Sequence, residues 1–263
     1  MRTLIYATLC VGALYLCGVG LLFLFQRTLI YPAPQGPQPV PAGFEGVLLT
    51  TADKLTIKAA WRPAAPEKPT IVLFHGNGDS LPGAAEATKW LAKAGYGILL
   101  ADYRGYGENP GEPTEAGLMR DGRAALAFVR QQGIEPERLV FMGASLGTGI
   151  ATQLATEQSP AALVLVSPYT RLPDVAAAVF PWAPTNRLML DCFDSIDKID
   201  EIRAPVLVLH ARNDKVIPYK QGVALAEASP ESTLLSFDEE GHQLQFTAPA
   251  QTATIAWLEA RGL

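Results

Sequence analysis

The chain has 263 residues, 49% of them hydrophobic and 18% charged, with 21 Lys plus Arg against 26 Asp plus Glu and a formal net charge of -5. That balance excludes an intrinsically disordered chain, and the acidic excess argues against nucleic acid as a partner. Three Cys, two of them (Cys10 and Cys17) in an apolar N-terminal run, exclude a disulfide scaffold.

The apolar run is the first element. Leu4 to Phe25 holds no charged residue, and as a helix it spans roughly 33 Å, enough for a bilayer core. A cleaved signal peptide has a shorter apolar part and a small-x-small site, whereas this run ends Leu21-Leu22-Phe23-Leu24-Phe25 before Gln26-Arg27. The expectation is an uncleaved single-pass membrane anchor over residues 1–27. Arg2 and Arg27 flank it almost symmetrically, so charge codes orientation weakly, and the reading adopted puts the following domain on the extracytoplasmic side. Residues 28–43 read as a stiff linker, with five Pro and two Gly from Pro32 to Gly43.

Residues 44–263 read as one α/β domain. Val47–Thr51 and Leu55–Trp61 flank the turn Ala52-Asp53-Lys54, a hairpin pattern. Six short apolar, β-rich runs follow: Thr70–His75, Gly97–Tyr103, Arg138–Gly143, Ala162–Ser167, Pro205–His210 and Thr233–Asp238. Helical patterns lie between most of them, at Ala84–Ala94, Glu115–Gln132, Leu146–Glu157 and Tyr219–Ala228, with a last one over Thr247–Ala260. Such alternation predicts a mostly parallel central sheet with helices on both faces, and ligands bind at the carboxyl ends of such strands.

The chemically capable residues fall at those ends. Gly143-Ala144-Ser145-Leu146-Gly147 is a G-x-S-x-G turn between a strand and a helix, which presents the Ser145 hydroxyl on a strained elbow. A serine hydroxyl needs a base to attack at neutral pH. Of the three His, His242 follows the last strand, while His75 and His210 end earlier ones and read as structural. Asp214, just past a strand end, is placed to orient the base. Asp238, Glu239 and Glu240 read as a solvated loop, and Asp191, Asp194, Asp197 and Asp200 as an exposed helical face. The amides of Leu146 and of Asn77, in Gly76-Asn77-Gly78, are the candidate donors to an oxyanion, and Ser80 is a candidate helix cap. No metal-ligand spacing and no complete nucleotide motif is present, so no cofactor is expected.

In combination these motifs resemble the α/β-hydrolase superfamily over residues 27–262, and more narrowly its membrane-anchored BEM46-like branch, related to the ABHD serine hydrolases and grouped with serine aminopeptidase S33 domains. The resemblance is carried by Gln26-Arg27 through Tyr31-Pro32, His75-Gly76-Asn77-Gly78, Asp102-Tyr103-Arg104-Gly105-Tyr106-Gly107, the Ser145 pentapeptide, Phe193-Asp194-Ser195 with Lys198-Ile199, His210-Ala211 through Asp214 to Pro218, and Gly241-His242. Ala211 stands where the family usually has Gly. The resemblance implies a catalytic triad of Ser145, Asp214 and His242, and a small helical lid over about residues 168–204. Phe180 and Trp182 there would line an acyl groove or form the lid's own core. Arg104 would contact substrate or hold its loop by an ion pair.

The function expected is hydrolysis of carboxylic esters or thioesters through an acyl-enzyme, on small acyl substrates of a lipid-like kind, at a membrane reached through the N-terminal helix. Two other classes stay open: an S33-type peptidase, with Asp191 or Asp194 holding a free amino terminus, and a non-catalytic binding protein on a hydrolase scaffold.

Overall fold

A computed structural model describes residues 1–263 of the chain. Eight strands form one sheet: β1 (Glu45–Thr50), β2 (Thr56–Arg62), β3 (Thr70–Phe74), β4 (Gly97–Ala101), β5 (Leu139–Ala144), β6 (Ala162–Val166), β7 (Val206–Ala211) and β8 (Ser232–Phe237), in spatial order β1-β2-β4-β3-β5-β6-β7-β8. The β1–β2 hairpin and the β2–β4 pair are antiparallel, and every pair from β4 to β8 is parallel. Strands β3 to β7 are buried along their whole length, as their mainly Ile, Val, Leu and Phe content suits, because helices cover both faces.

One face carries α4 (Glu115–Gln131), α5 (Leu146–Glu157) and α8 (Tyr219–Ala228); the other carries α2 (Leu81–Ala87), α3 (Lys89–Lys93) and α9 (Ala248–Glu259). The Ser80 hydroxyl accepts from the Gly83 amide at 3.3 Å and starts α2, as its sequence position suggests. The single helix expected over Ala84–Ala94 is two. Thr88 breaks it, its hydroxyl donating back to the Ala84 carbonyl at 3.0 Å in place of a regular continuation.

The first helix, α1 (Arg2–Ile30), extends the expected apolar span at both ends and is the one helix long and apolar enough to cross a membrane. Its first turns are exposed, while from Tyr15 onward it lies against residues 168–204. That segment holds two short helices, α6 (Leu172–Val179) and α7 (Thr185–Leu188). The exposed helical face expected for Asp191 to Asp200 is corrected here. Residues 189–198 contain no helix, Asp191 is buried, Asp194 is half-buried, and only Asp197 and Asp200 are exposed.

Candidate active site

The sheet delivers three separated side chains to one rim. β5 ends at Ala144 and α5 begins at Leu146, so Ser145 is the whole connection. It takes φ 47° and ψ -116°, a conformation that side chains rarely adopt. Its amide donates to the Val166 carbonyl at 2.9 Å, anchoring the turn to β6. The flanking glycines make the turn sterically possible: a Cβ on Gly147 would lie 1.9 Å from the Phe74 carbonyl oxygen, and one on Gly143 would lie 2.5 Å from that of Gly147.

Asp214 follows β7, and His242 follows β8. The Ser145 hydroxyl lies 3.0 Å from Nε2 of His242, and Nδ1 of His242 lies 2.9 Å from Oδ2 of Asp214. With Asp214 ionised, the Nδ1–H donates to it, which leaves Nε2 free to accept from the hydroxyl. Oδ1 of Asp214 accepts from the Val216 and Ile217 amides at 2.8 and 2.9 Å. Burial pushes this carboxyl up, but hydrogen bonds from His210, His242 and the Ile217 amide outweigh it and hold the acid well below the usual carboxylate range.

The other two histidines sit elsewhere. His75 is buried, its Nε2 3.3 Å from Asp102 and its Nδ1 2.9 Å from the Gly76 carbonyl. His210 is buried under the triad, its Nε2 3.0 Å from the Ile217 carbonyl and 3.4 Å from Oδ2 of Asp214. Two supports of the histidine loop escape a sequence reading. The Ser167 hydroxyl donates to the His242 carbonyl at 3.4 Å, and Asn213 accepts the Gly241 amide at 2.9 Å. Both are loop contacts between residues far apart in the chain, and no local motif marks them.

A cavity of about 670 Å³ opens on Ser145. Ser145, His242, Leu146 and Asn77 border one end, and the walls are mainly apolar. Leu146 is the first residue of α5, so its amide lies outside the helix ladder and at the positive end of the helix. Phe180, from the end of α6, lines the cavity. Trp182 does not. The residue is 48% exposed, and its ring packs edge-on against Tyr15 of α1, with ring centroids 6.2 Å apart.

Arg104 is also remote from the cavity. Its guanidinium is buried between Asp121, at 2.8 Å, and Asp53 of the hairpin turn, also at 2.8 Å, so the substrate contact is replaced by an ion-pair role. Neither Asp191 nor Asp194 borders the cavity. Asp191 instead accepts from Arg27 at 2.9 Å and from the Glu115 amide at 3.0 Å. No cluster of side chains suited to a metal ion is present.

The chain is similar to known proteins in sequence and in fold. The family model described as serine aminopeptidase, S33 matches residues 65–196, and that described as TAP-like protein matches residues 193–259. Protein bem46 of Schizosaccharomyces pombe is 31% identical over 232 residues, covering 81% of this chain and 78% of its own. The lysophosphatidylserine lipase ABHD12 of Danio rerio is 33% identical over 198 residues, covering 68% of this chain and 50% of its own. Among solved structures, the esterase EaEST from Exiguobacterium antarcticum superposes with a TM-score of 0.66 at 18% identity, over 83% of this chain and all of its own, a likeness of fold.

Proposed function

The chain belongs to the S33 family of α/β-hydrolases, in its BEM46-like branch, and from that membership we propose that it is a membrane-anchored serine hydrolase cleaving carboxylic esters or thioesters through an acyl-enzyme. The observation that carries the proposal is the unbroken hydrogen-bonded chain from the Ser145 hydroxyl through His242 to Asp214.

In this reading His242 takes the Ser145 proton as the oxygen attacks the acyl carbonyl. Asp214 keeps the imidazole in the right tautomer and stabilises its charged form. The Leu146 and Asn77 amides hold the oxyanion, at the border of a cavity whose walls are mainly apolar. The intermediate collapses, the acyl–oxygen (or acyl–sulfur) bond breaks, and His242 returns the proton to the leaving alcohol or thiol. Water then repeats the sequence on the acyl-enzyme, giving a carboxylic acid and free Ser145. All of this is done by side chains and amides of the chain itself.

The domain boundaries that go with this reading are an anchor over residues 1–27, a linker over 28–43 and the hydrolase domain over 44–263, with its lid near 168–204. Apolar walls favour an acyl chain over a peptide, and Asp191, committed to Arg27, is unavailable to hold a substrate amino terminus. The test is covalent labelling of the detergent-solubilised chain with a fluorophosphonate. The parent is labelled and Ser145→Ala is not, and p-nitrophenyl acyl esters are turned over faster than aminoacyl amides. An active-site preparation that resists the probe would return the chain to the class of silent scaffolds.

A further inference from the structure

The cavity has a wall that a hydrolase domain alone would lack. Val19, Leu22, Phe23, Gln26, Leu29 and Ile30 of α1 line it. Their spacings of three and four put them on one face of that helix, turned toward the lid. The same helix is the candidate membrane span. The anchor is therefore built into the pocket, opposite α6, whose Leu172, Val175, Ala176 and Val179 line the other side.

Polar contacts fix α1 in that position. The Gln26 side chain is buried in an otherwise apolar helix, and its two ends bind lid backbone: Oε1 accepts from the Leu190 amide at 2.8 Å, and Nε2 lies 3.4 Å from the Leu188 carbonyl. Arg27 pairs with the buried Asp191 through two hydrogen bonds, at 2.9 and 3.4 Å. Gln26 Nε2 is also held by the Phe23 carbonyl of its own helix at 2.8 Å and Asp191 by the Glu115 amide at 3.0 Å, but Oε1 of Gln26 and the charge of Asp191 find their partners across this docking, which marks it as a specific contact.

The cavity also has a direction. Its Ser145 end lies at Gly76–Gly78, where a Cβ on Gly78 would sit 3.7 Å from the Pro32 carbonyl, just beyond the C-terminal end of α1. Val19 is the α1 lining residue farthest along the helix from that end, next to Gly18, where a Cβ would sit 3.4 Å from the Trp182 ring that in turn packs on Phe180. From Ile30 to Val19 the helix rises roughly 16 Å, about half of a ~30 Å hydrocarbon core. At that far end the lid follows the helix: Trp182 packs on Tyr15 and Gly18, and Val179 and Trp182 expose apolar surface beside the exposed part of α1. In water such a surface is unfavourable; against lipid chains it is not.

We propose that α1 is a wall of the substrate site as well as an anchor, and that the substrate is a bilayer lipid carrying a fatty acyl ester, which enters sideways between α1 and α6. Its acyl chain lies along the Val19–Ile30 face at the depth of one leaflet, and its ester carbonyl stands at Ser145, near the leaflet surface. Hydrolysis consumes one water and gives a fatty acid and the deacylated lipid. This rests on the serine hydrolase reading and specifies its substrate class and route of entry.

The experiment uses the full chain in phosphatidylcholine vesicles and a fluorophosphonate whose long alkyl chain ends in a diazirine. After photolysis, the expected adducts are the phosphonate on Ser145 and the chain terminus on residues 19–30 and 175–183. Phosphonate on Ser145 with no photoadduct on α1 overturns the proposal and leaves the hydrolase reading standing. Absence of phosphonate on Ser145 overturns both. A second measurement compares Leu22→Trp, on the cavity face, with Leu24→Trp, on the exposed face. The ratio of p-nitrophenyl palmitate to p-nitrophenyl acetate turnover falls at least about tenfold in the first, the worth of roughly two buried methylenes, and is unchanged in the second. Equal ratios in the two variants overturn the proposal.

Discussion

Asp214 serves two imidazoles at once. Its Oδ2 faces Nδ1 of His242 at 2.9 Å and Nε2 of His210 at 3.4 Å, while Nδ1 of His210 has no partner. Nε2 of His210 also lies 3.0 Å from the Ile217 carbonyl, so it faces that oxygen and the carboxylate together. Asp214→Asn keeps the shape but loses the acceptor that fixes the tautomer of His242, so kcat falls by about 10³- to 10⁴-fold, measured with a short p-nitrophenyl ester. Stability carries a pH signature as well. The folded carboxyl lies below the unfolded value of about 3.9, so ionised Asp214 stabilises the fold above that pH, and the contribution is lost as the pH falls through the lower folded value. The gap in urea midpoint between parent and Asp214→Asn is therefore widest near neutrality and narrows on acidification below about pH 4.

At the scale of elements, Arg104 ties three pieces together. It joins its own loop after β4 to Asp121 of α4 and to Asp53 in the β1–β2 turn. Asp121 is buried, and removing its partner leaves an uncompensated carboxylate there. Arg104→Met destabilises the fold by about 3–5 kcal/mol in urea titration while the KM for short esters stays unchanged, since the side chain does not reach the cavity. A substrate contact would give the opposite pattern.

Most elements were legible because the signals were local: α5 and α8 have the boundaries their patterns suggest, and each strand shifts by no more than two residues at either end. The misreadings are equally physical. Thr88 looks harmless in a helical pattern until its hydroxyl competes for backbone carbonyls. The aspartates from 191 to 200 have helical-looking spacing, but spacing cannot reveal a cation from the far end of the chain.

At the scale of the whole molecule, that cation is Arg27, 164 residues from Asp191 in sequence. The meeting of Ser145, His242 and Asp214 could be anticipated, since strand ends in a parallel sheet converge on one rim. The docking of α1 could not. A run that is apolar on every side shows no stripe, so the face that lines the cavity is indistinguishable from the faces that do not. Only Gln26, a lone amide near the end of the run, sets that face apart. Arg27→Ala leaves Asp191 buried without its counter-ion and loosens the lid from the helix. Limited trypsin digestion then cuts at Arg187 sooner than in the parent, with labelling of Ser145 as the control for an intact site.

The Gln26 and Arg27 clamp has one more consequence. A helix cemented to its domain has no hinge, so under the proposed anchoring the height and tilt of the rim over the bilayer would be set once, by how the helix sits. On that proposal the protein would graze only the sheet of lipid in which it is planted. Its rate would follow the surface mole fraction of substrate in that sheet, and a neighbouring vesicle, however rich, would lie beyond its reach.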